Sequence, residues 1–128
     1  MAVAAMDHRG SDTVLKDMRQ HPEDAKVQEK GCETLQRLAQ DADNQVKIGA
    51  GGGVEAIVQA MGGHRGSVEI QDNSCWALLN LAGGPNDIQQ RIKRAGAEEA
   101  VQRAMASPDA TAVTKEKGQE LLSVLRNV

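Results

Sequence analysis

The stretch Ile70-Gln-Asp-Asn-Ser-Cys-Trp-Ala-Leu-Leu-Asn-Leu-Ala82 falls over Val27-Gln-Glu-Lys-Gly-Cys-Glu-Thr-Leu-Gln-Arg-Leu-Ala39 when the chain is shifted on itself by 43 residues. Gln28/Gln71, Cys32/Cys75, Leu35/Leu78, Leu38/Leu81 and Ala39/Ala82 coincide, and Met18/Met61 keep the same shift upstream. A third copy follows, with Glu116–Leu125 lying 87 residues beyond Glu29–Leu38 and Met105 lying 87 beyond Met18. The connecting stretches agree too: Val46-Lys-Ile-Gly-Ala-Gly-Gly52 matches Gln90-Arg-Ile-Lys-Arg-Ala-Gly96 at a shift of 44. Register kept through several elements in a row is the mark of a repeat protein, in which each unit buries its apolar face only by stacking on its neighbours.

Within each copy the apolar spacing is helical. Val54, Ile57, Val58 and Met61, and later Ala100, Val101, Ala104 and Met105, recur on one face of a short helix. Polar runs containing Gly, Pro, Asp or His (21–24, 62–67, 107–109) stop that helix. A longer helix follows, with Ile70, Ser74, Leu78 and Leu81 on its inner row. The second position of that row is always small, being Gly31, Ser74 or Gly118. Since mid-helix Gly costs roughly 1 kcal/mol against Ala, the pattern predicts close approach of two helix backbones there. A third short helix, near 44–49 and 87–95, leads through Gly into the next copy.

Composition agrees with an all-α chain. Of 128 residues 40% are hydrophobic, yet there is one Trp and no Tyr or Phe, so the core must be aliphatic. A net charge of −3, with 15 scattered Lys and Arg, excludes the basic footprint of a general nucleic-acid surface. No run approaches the ~20 apolar residues of a membrane span, and Met1–Met6 lacks the flanks of a signal peptide. Two cysteines make no disulfide framework, which points to a reducing, cytoplasmic setting with the nucleus also open.

A period near 42 with three helices and a Gly junction resembles the armadillo repeat. The second copy carries the resemblance most fully: Gly53-Val-Glu-Ala-Ile-Val-Gln-Ala-Met61, then Trp76-Ala-Leu-Leu-Asn-Leu-Ala82, then Gln90-Arg-Ile-Lys-Arg-Ala-Gly96. It covers about residues 11–128 and implies a right-handed α-solenoid whose long helices line a concave face. The two-helix HEAT repeat is the nearest competitor, as a HEAT-like adaptor, and the third short helix favours armadillo. The expected division is an irregular N-terminal cap over 1–10, repeats over 11–52 and 53–96, and a truncated repeat over 97–128. The C-terminal edge is expected to expose Leu121, Leu122, Leu125 and Val128.

Trp76 and Asn80 share one helical face and stand outside the inner row, so Trp76 is expected to look outward. In armadillo proteins of the importin-α type, Trp and Asn at this spacing line the groove, the amide holding an extended peptide's backbone and the ring packing basic side-chain stems. The resemblance implies those roles for Trp76 and Asn80. The neighbouring copies carry Glu33/Arg37 and Glu120/Val124 instead, so the several rungs a basic localisation peptide needs are missing. Lys30, Gln40, Asn73, Lys117 and Asn127 complete a mixed polar face. The candidate partner-binding set is therefore Trp76, Asn80, Asn73, Lys30, Glu33, Arg37, Lys117 and Glu120. The plainer alternative is that Trp76 packs at a seam between repeats.

Other features read as structural. Gly49-Ala-Gly-Gly-Gly53 lacks the Lys-Ser/Thr of a phosphate loop and sits at a repeat junction. Cys32 and Cys75 are equivalent positions one repeat apart, and His8, His21 and His64 fall in loops, so no metal set is expected. Glu98-Glu99 and Glu23-Asp24 suit helix starts. The expectation is a non-enzymatic scaffold without cofactor, metal or small-molecule substrate, binding an extended peptide or partner helix. Its alternative is self-association, as a homodimer or array fragment, through the terminal repeat faces.

Overall fold

The structure, a computed structural model, describes residues 10–128. The cap expected over 1–10 therefore lies almost wholly outside the described residues. Eight helices follow one another, with no strand among the described residues: α1 (Ser11–Gln20), α2 (Ala25–Leu38), α3 (Ala42–Ala50), α4 (Gly53–Gly63), α5 (Val68–Ala82), α6 (Asn86–Arg94), α7 (Ala97–Ala106) and α8 (Ala112–Leu125).

The helix starts follow from local chemistry. Each long helix opens on a side-chain cap: Asp24 accepts from the Lys26 and Val27 N–H groups, Ser67 from Ile70, and Thr111 from Thr114. These bonds satisfy backbone donors that an α-helix leaves unpaired in its first turn. The short helices α4 and α7 open differently, on Gly52 and Gly96, both at φ 83°. That left-handed backbone turns the chain sharply from one repeat into the next, and it favours glycine because other residues clash there. The junction glycines seen in the sequence are thus backbone devices.

Three rows of helices result. The long helices α2, α5 and α8 stack side by side, with α5 packed against both of the others. The short helices α1, α4 and α7 form a second row, and α3 and α6 touch along one edge. Between the rows lies a single aliphatic core that includes Leu15, Leu35, Ile48, Ile57, Leu78, Leu81, Ile92 and Leu121. Burying each such side chain contributes about 1.5–3 kcal/mol.

Polar ties recur at the same places in successive repeats. Gln28 Nε2 donates to the carbonyls of Met18 and His21, and Gln71 Nε2 does the same to Met61 and His64. Each glutamine closes the C-terminal end of the preceding short helix. Gln45 and Gln89 treat the long helices alike, donating to the carbonyls of Ala39 and Ala82. Across the stack, Ser67 donates to Glu29 at 3.1 Å, Thr111 and Thr114 donate to Asp72, and His64 Nε2 meets the Pro22 carbonyl at 2.9 Å.

Two expectations are corrected. At Gly31 and Gly118 the small residue does not bring two backbones together. A Cβ on Gly31 would lie 2.5 Å from Met18 Sδ, and one on Gly118 would lie 2.8 Å from Met105 Sδ, so the notch receives the methionine of the preceding short helix. The C-terminal edge is also less apolar than expected. Leu121 and Leu125 are fully buried, Leu122 is half-buried, and only Val128 stands open at 38% exposure. The reason is orientation: α8 turns both leucines into the core. Its outer positions are Gln119 and Arg126, exposed where α2 and α5 bury Cys32/Cys75 and Ala39/Ala82.

Candidate functional site

The eight candidate residues all lie on the long helices, three on α2, three on α5 and two on α8. Trp76 is 37% exposed, outside the inner row that buries Ile70, Ser74, Leu78 and Leu81. Lys30, Glu33, Arg37 and Glu120 are exposed, and Asn73, Asn80 and Lys117 are half-buried.

Only part of this set is drawn together. Lys117 Nζ lies 5.1 Å from the centroid of the Trp76 ring. Glu116 and Glu120 flank the same ammonium at 3.6 and 3.9 Å. Such pairs on open surface add little stability, because water and salt screen them. The side chains of Lys30, Glu33, Arg37 and Asn73 make no hydrogen bond or ion pair among the described residues. Trp76 therefore sits both on the long-helix face and at the seam between α5 and α8.

Asn80 has a structural duty. Its Nδ2 donates to the Gln36 carbonyl at 3.0 Å, binding α5 to the last turns of α2. Its own backbone carbonyl accepts from Gln45 Nε2 at 3.2 Å. The amide keeps a second N–H and its Oδ1 to offer, so the clasp reduces without exhausting what the side chain can give a partner.

Several residues that organise this region escaped sequence reading. Arg91 donates to the Gly49 carbonyl and Arg19 to the Gly51 carbonyl, so two guanidinium groups complete the exposed C-terminal end of α3. Cations at a helix C-terminus are favoured by its dipole as well as by hydrogen bonding. Arg91 also stands 3.8 Å from Glu55. The signal for Gln28/Gln71 was present as a coincidence in the self-comparison, but nothing local says that a glutamine side chain will reach back to the preceding helix.

Cys32 and Cys75 are free and buried, and Ser74 Oγ lies 3.4 Å from Cys32 Sγ. Burial pushes the Cys32 thiol from 9.0 up to about 11, with the Ser74 hydrogen bond pulling the other way. Burial, and after it the Asp72 carboxylate, pushes Cys75 up to about 12. Both thiols hold their protons at neutral pH, which suits core residues and not nucleophiles or metal ligands. The shift has a consequence for stability. Above about pH 9 the unfolded chain releases thiol protons that the folded chain keeps, so stability falls as pH rises from about 9 towards 11–12. Unfolding free energies from urea titrations between about pH 8 and 11 should fall less steeply for the Cys32→Ala/Cys75→Ala variant than for the wild type, by roughly 5 kcal/mol over that interval for the two thiols together.

No group of three or more His, Cys, Asp or Glu residues that could hold a metal occurs among the described residues. No described helix is long and apolar enough to cross a membrane.

No family model matches the chain. Protein aardvark of Dictyostelium discoideum is 34% identical over 90 aligned residues, a match covering 63% of this chain and 12% of that protein. The chain thus spans about an eighth of the length of that relative. A designed armadillo repeat protein superposes with a TM-score of 0.75 at 22% identity, over 89% of this chain and 46% of the other. An engineered protein from the Northeast Structural Genomics Consortium gives the same score at 25% identity, covering 91% of this chain and 27% of its own. The three-helix units, the left-handed glycine junctions and these superpositions agree: the chain folds as an armadillo-like helical repeat solenoid.

Proposed function

We propose that this chain is a protein-interaction scaffold, and that its long-helix face binds an extended peptide or a partner helix. The observation that carries this is the placing of Trp76. The only aromatic side chain of the protein is left 37% exposed on that face, while the described core is filled by aliphatic, Met and Cys side chains. Aromatic residues supply a large contact area at small entropic cost and are enriched among interface anchors. On the two neighbouring long helices, Lys30, Glu33, Arg37 and Glu120 are exposed and of mixed sign. That arrangement of an anchor within a wet, charged border is how protein interfaces are commonly built.

The test compares proteins captured by the wild type with those captured by Trp76→Ala and Trp76→Ala/Asn80→Ala. Trp76→Ala should weaken partner binding by on the order of 1–3 kcal/mol, with its helical circular dichroism and thermal midpoint little changed. Partners retained in full by a folded Trp76→Ala protein would refute the role of this face. Unfolding of the variant would instead make packing at the α5–α8 seam the main role of Trp76.

A further inference from the structure

The face of the Trp76 ring does not stand empty. Lys117, 41 residues further along the chain, reaches across from α8 and sets its ammonium 5.1 Å from the ring centroid. A cation within about 6 Å of an aromatic face is held by the ring's quadrupole. The Lys117 side chain is only 23% exposed. Glu116 and Glu120 stand at 3.6 and 3.9 Å from its nitrogen. Both distances are longer than a hydrogen bond, so these carboxylates tether the ammonium by charge without saturating its three donors.

A basic side chain arriving from a partner would meet a ring face already filled and a like charge beside it. The resident cation is also part of the same molecule, so it competes at an effective concentration that a free peptide does not match. A hydroxyl or amide side chain, which brings an acceptor without a charge, would meet neither that like charge nor repulsion from Glu116 and Glu120, and it could take an ammonium donor that they leave unsaturated.

We propose that Lys117 reserves the Trp76 ring. The aromatic rung of the long-helix face is closed to Lys and Arg side chains, and it takes a partner side chain that brings a hydrogen-bond acceptor to Lys117. The proposal rests on the interaction role of this face, yet its test needs no natural partner.

With no Tyr or Phe in the chain, intrinsic fluorescence reports on Trp76 alone. Quenching by caesium ion and by neutral acrylamide can be compared in the wild type, Lys117→Met, Lys117→Gln and Lys115→Met. Lys115 stands on the same helix about 200° around from Lys117, so it controls for simple loss of charge. The ratio of caesium to acrylamide quenching should rise in both Lys117 variants and stay at the wild-type value in Lys115→Met. Hexa-arginine, followed by the same emission, should bind the Lys117 variants about 2- to 30-fold more tightly than the wild type, the range expected of one cation–π contact. An unchanged ratio in the Lys117 variants, or an equal rise in Lys115→Met, would overturn the proposal. Failure of the wider interaction role would appear separately, as partner capture indifferent to Trp76→Ala with the quenching contrast intact.

Discussion

Leu78→Ala should destabilise the protein by about 2–5 kcal/mol, measured by urea or thermal unfolding. Leu78 is 0% exposed on α5, the helix that packs against both other long helices. Truncating it removes three heavy atoms from a core that contains no aromatic side chain able to swing into the gap. The loss therefore combines the transfer free energy of the missing groups with that of a cavity that neighbours fill only in part. A domain of this size has a total stability of only about 5–15 kcal/mol, so the variant should lose a large share of it. Trp76, two residues away in sequence, faces the other way. A small stability change for Trp76→Ala beside a large one for Leu78→Ala would separate the binding surface of α5 from its core surface.

Gly53→Ala should cost about 1–3 kcal/mol or more, although alanine is the better helix former. A Cβ at this position would lie 2.2 Å from Ile48 Cγ2 and 2.9 Å from the Ile48 carbonyl oxygen. The second contact is with backbone, so no side-chain rotation relieves it. Gly96→Ala provides the contrast. Its Cβ would meet nothing within 4 Å, and its penalty should come only from φ 83°, at roughly 1–2 kcal/mol. Thermal midpoints of the two variants would separate crowding from backbone strain at the two kinds of junction glycine.

These contrasts show where sequence reading succeeded. The helices, the loops and the repeat junctions were legible because their signals are local and occur more than once: capping residues, helical periodicity and glycines at equivalent places. The outward position of Trp76 was legible for the same reason, since it stands outside the row defined by Ile70, Ser74, Leu78 and Leu81. What could not be read depended on the register between helices. Gly31 and Gly118 announced close packing, but that a methionine fills each notch is decided by how α1 lies on α2 and α7 on α8. Likewise, no local pattern places Lys117 over a ring 41 residues earlier. Leu121 and Leu125 were misjudged because the apolar row of a last helix looks the same in sequence whether it faces inward or outward.

The ties between repeats have a consequence for how the chain reaches this structure. Among the described residues, the side-chain hydrogen bonds of the stack, from His64 to Pro22 through Asn80 to Gln36, join residues no more than 44 apart. Folding need never close a loop much longer than one repeat, so the entropy lost at each step stays modest. Chains dominated by contacts of short sequence separation fold quickly, and stacked repeats can nucleate at one point and grow by adding neighbours. Among the described residues α5 is the long helix packed against a long helix on each side, which makes it a natural starting point for growth in both directions.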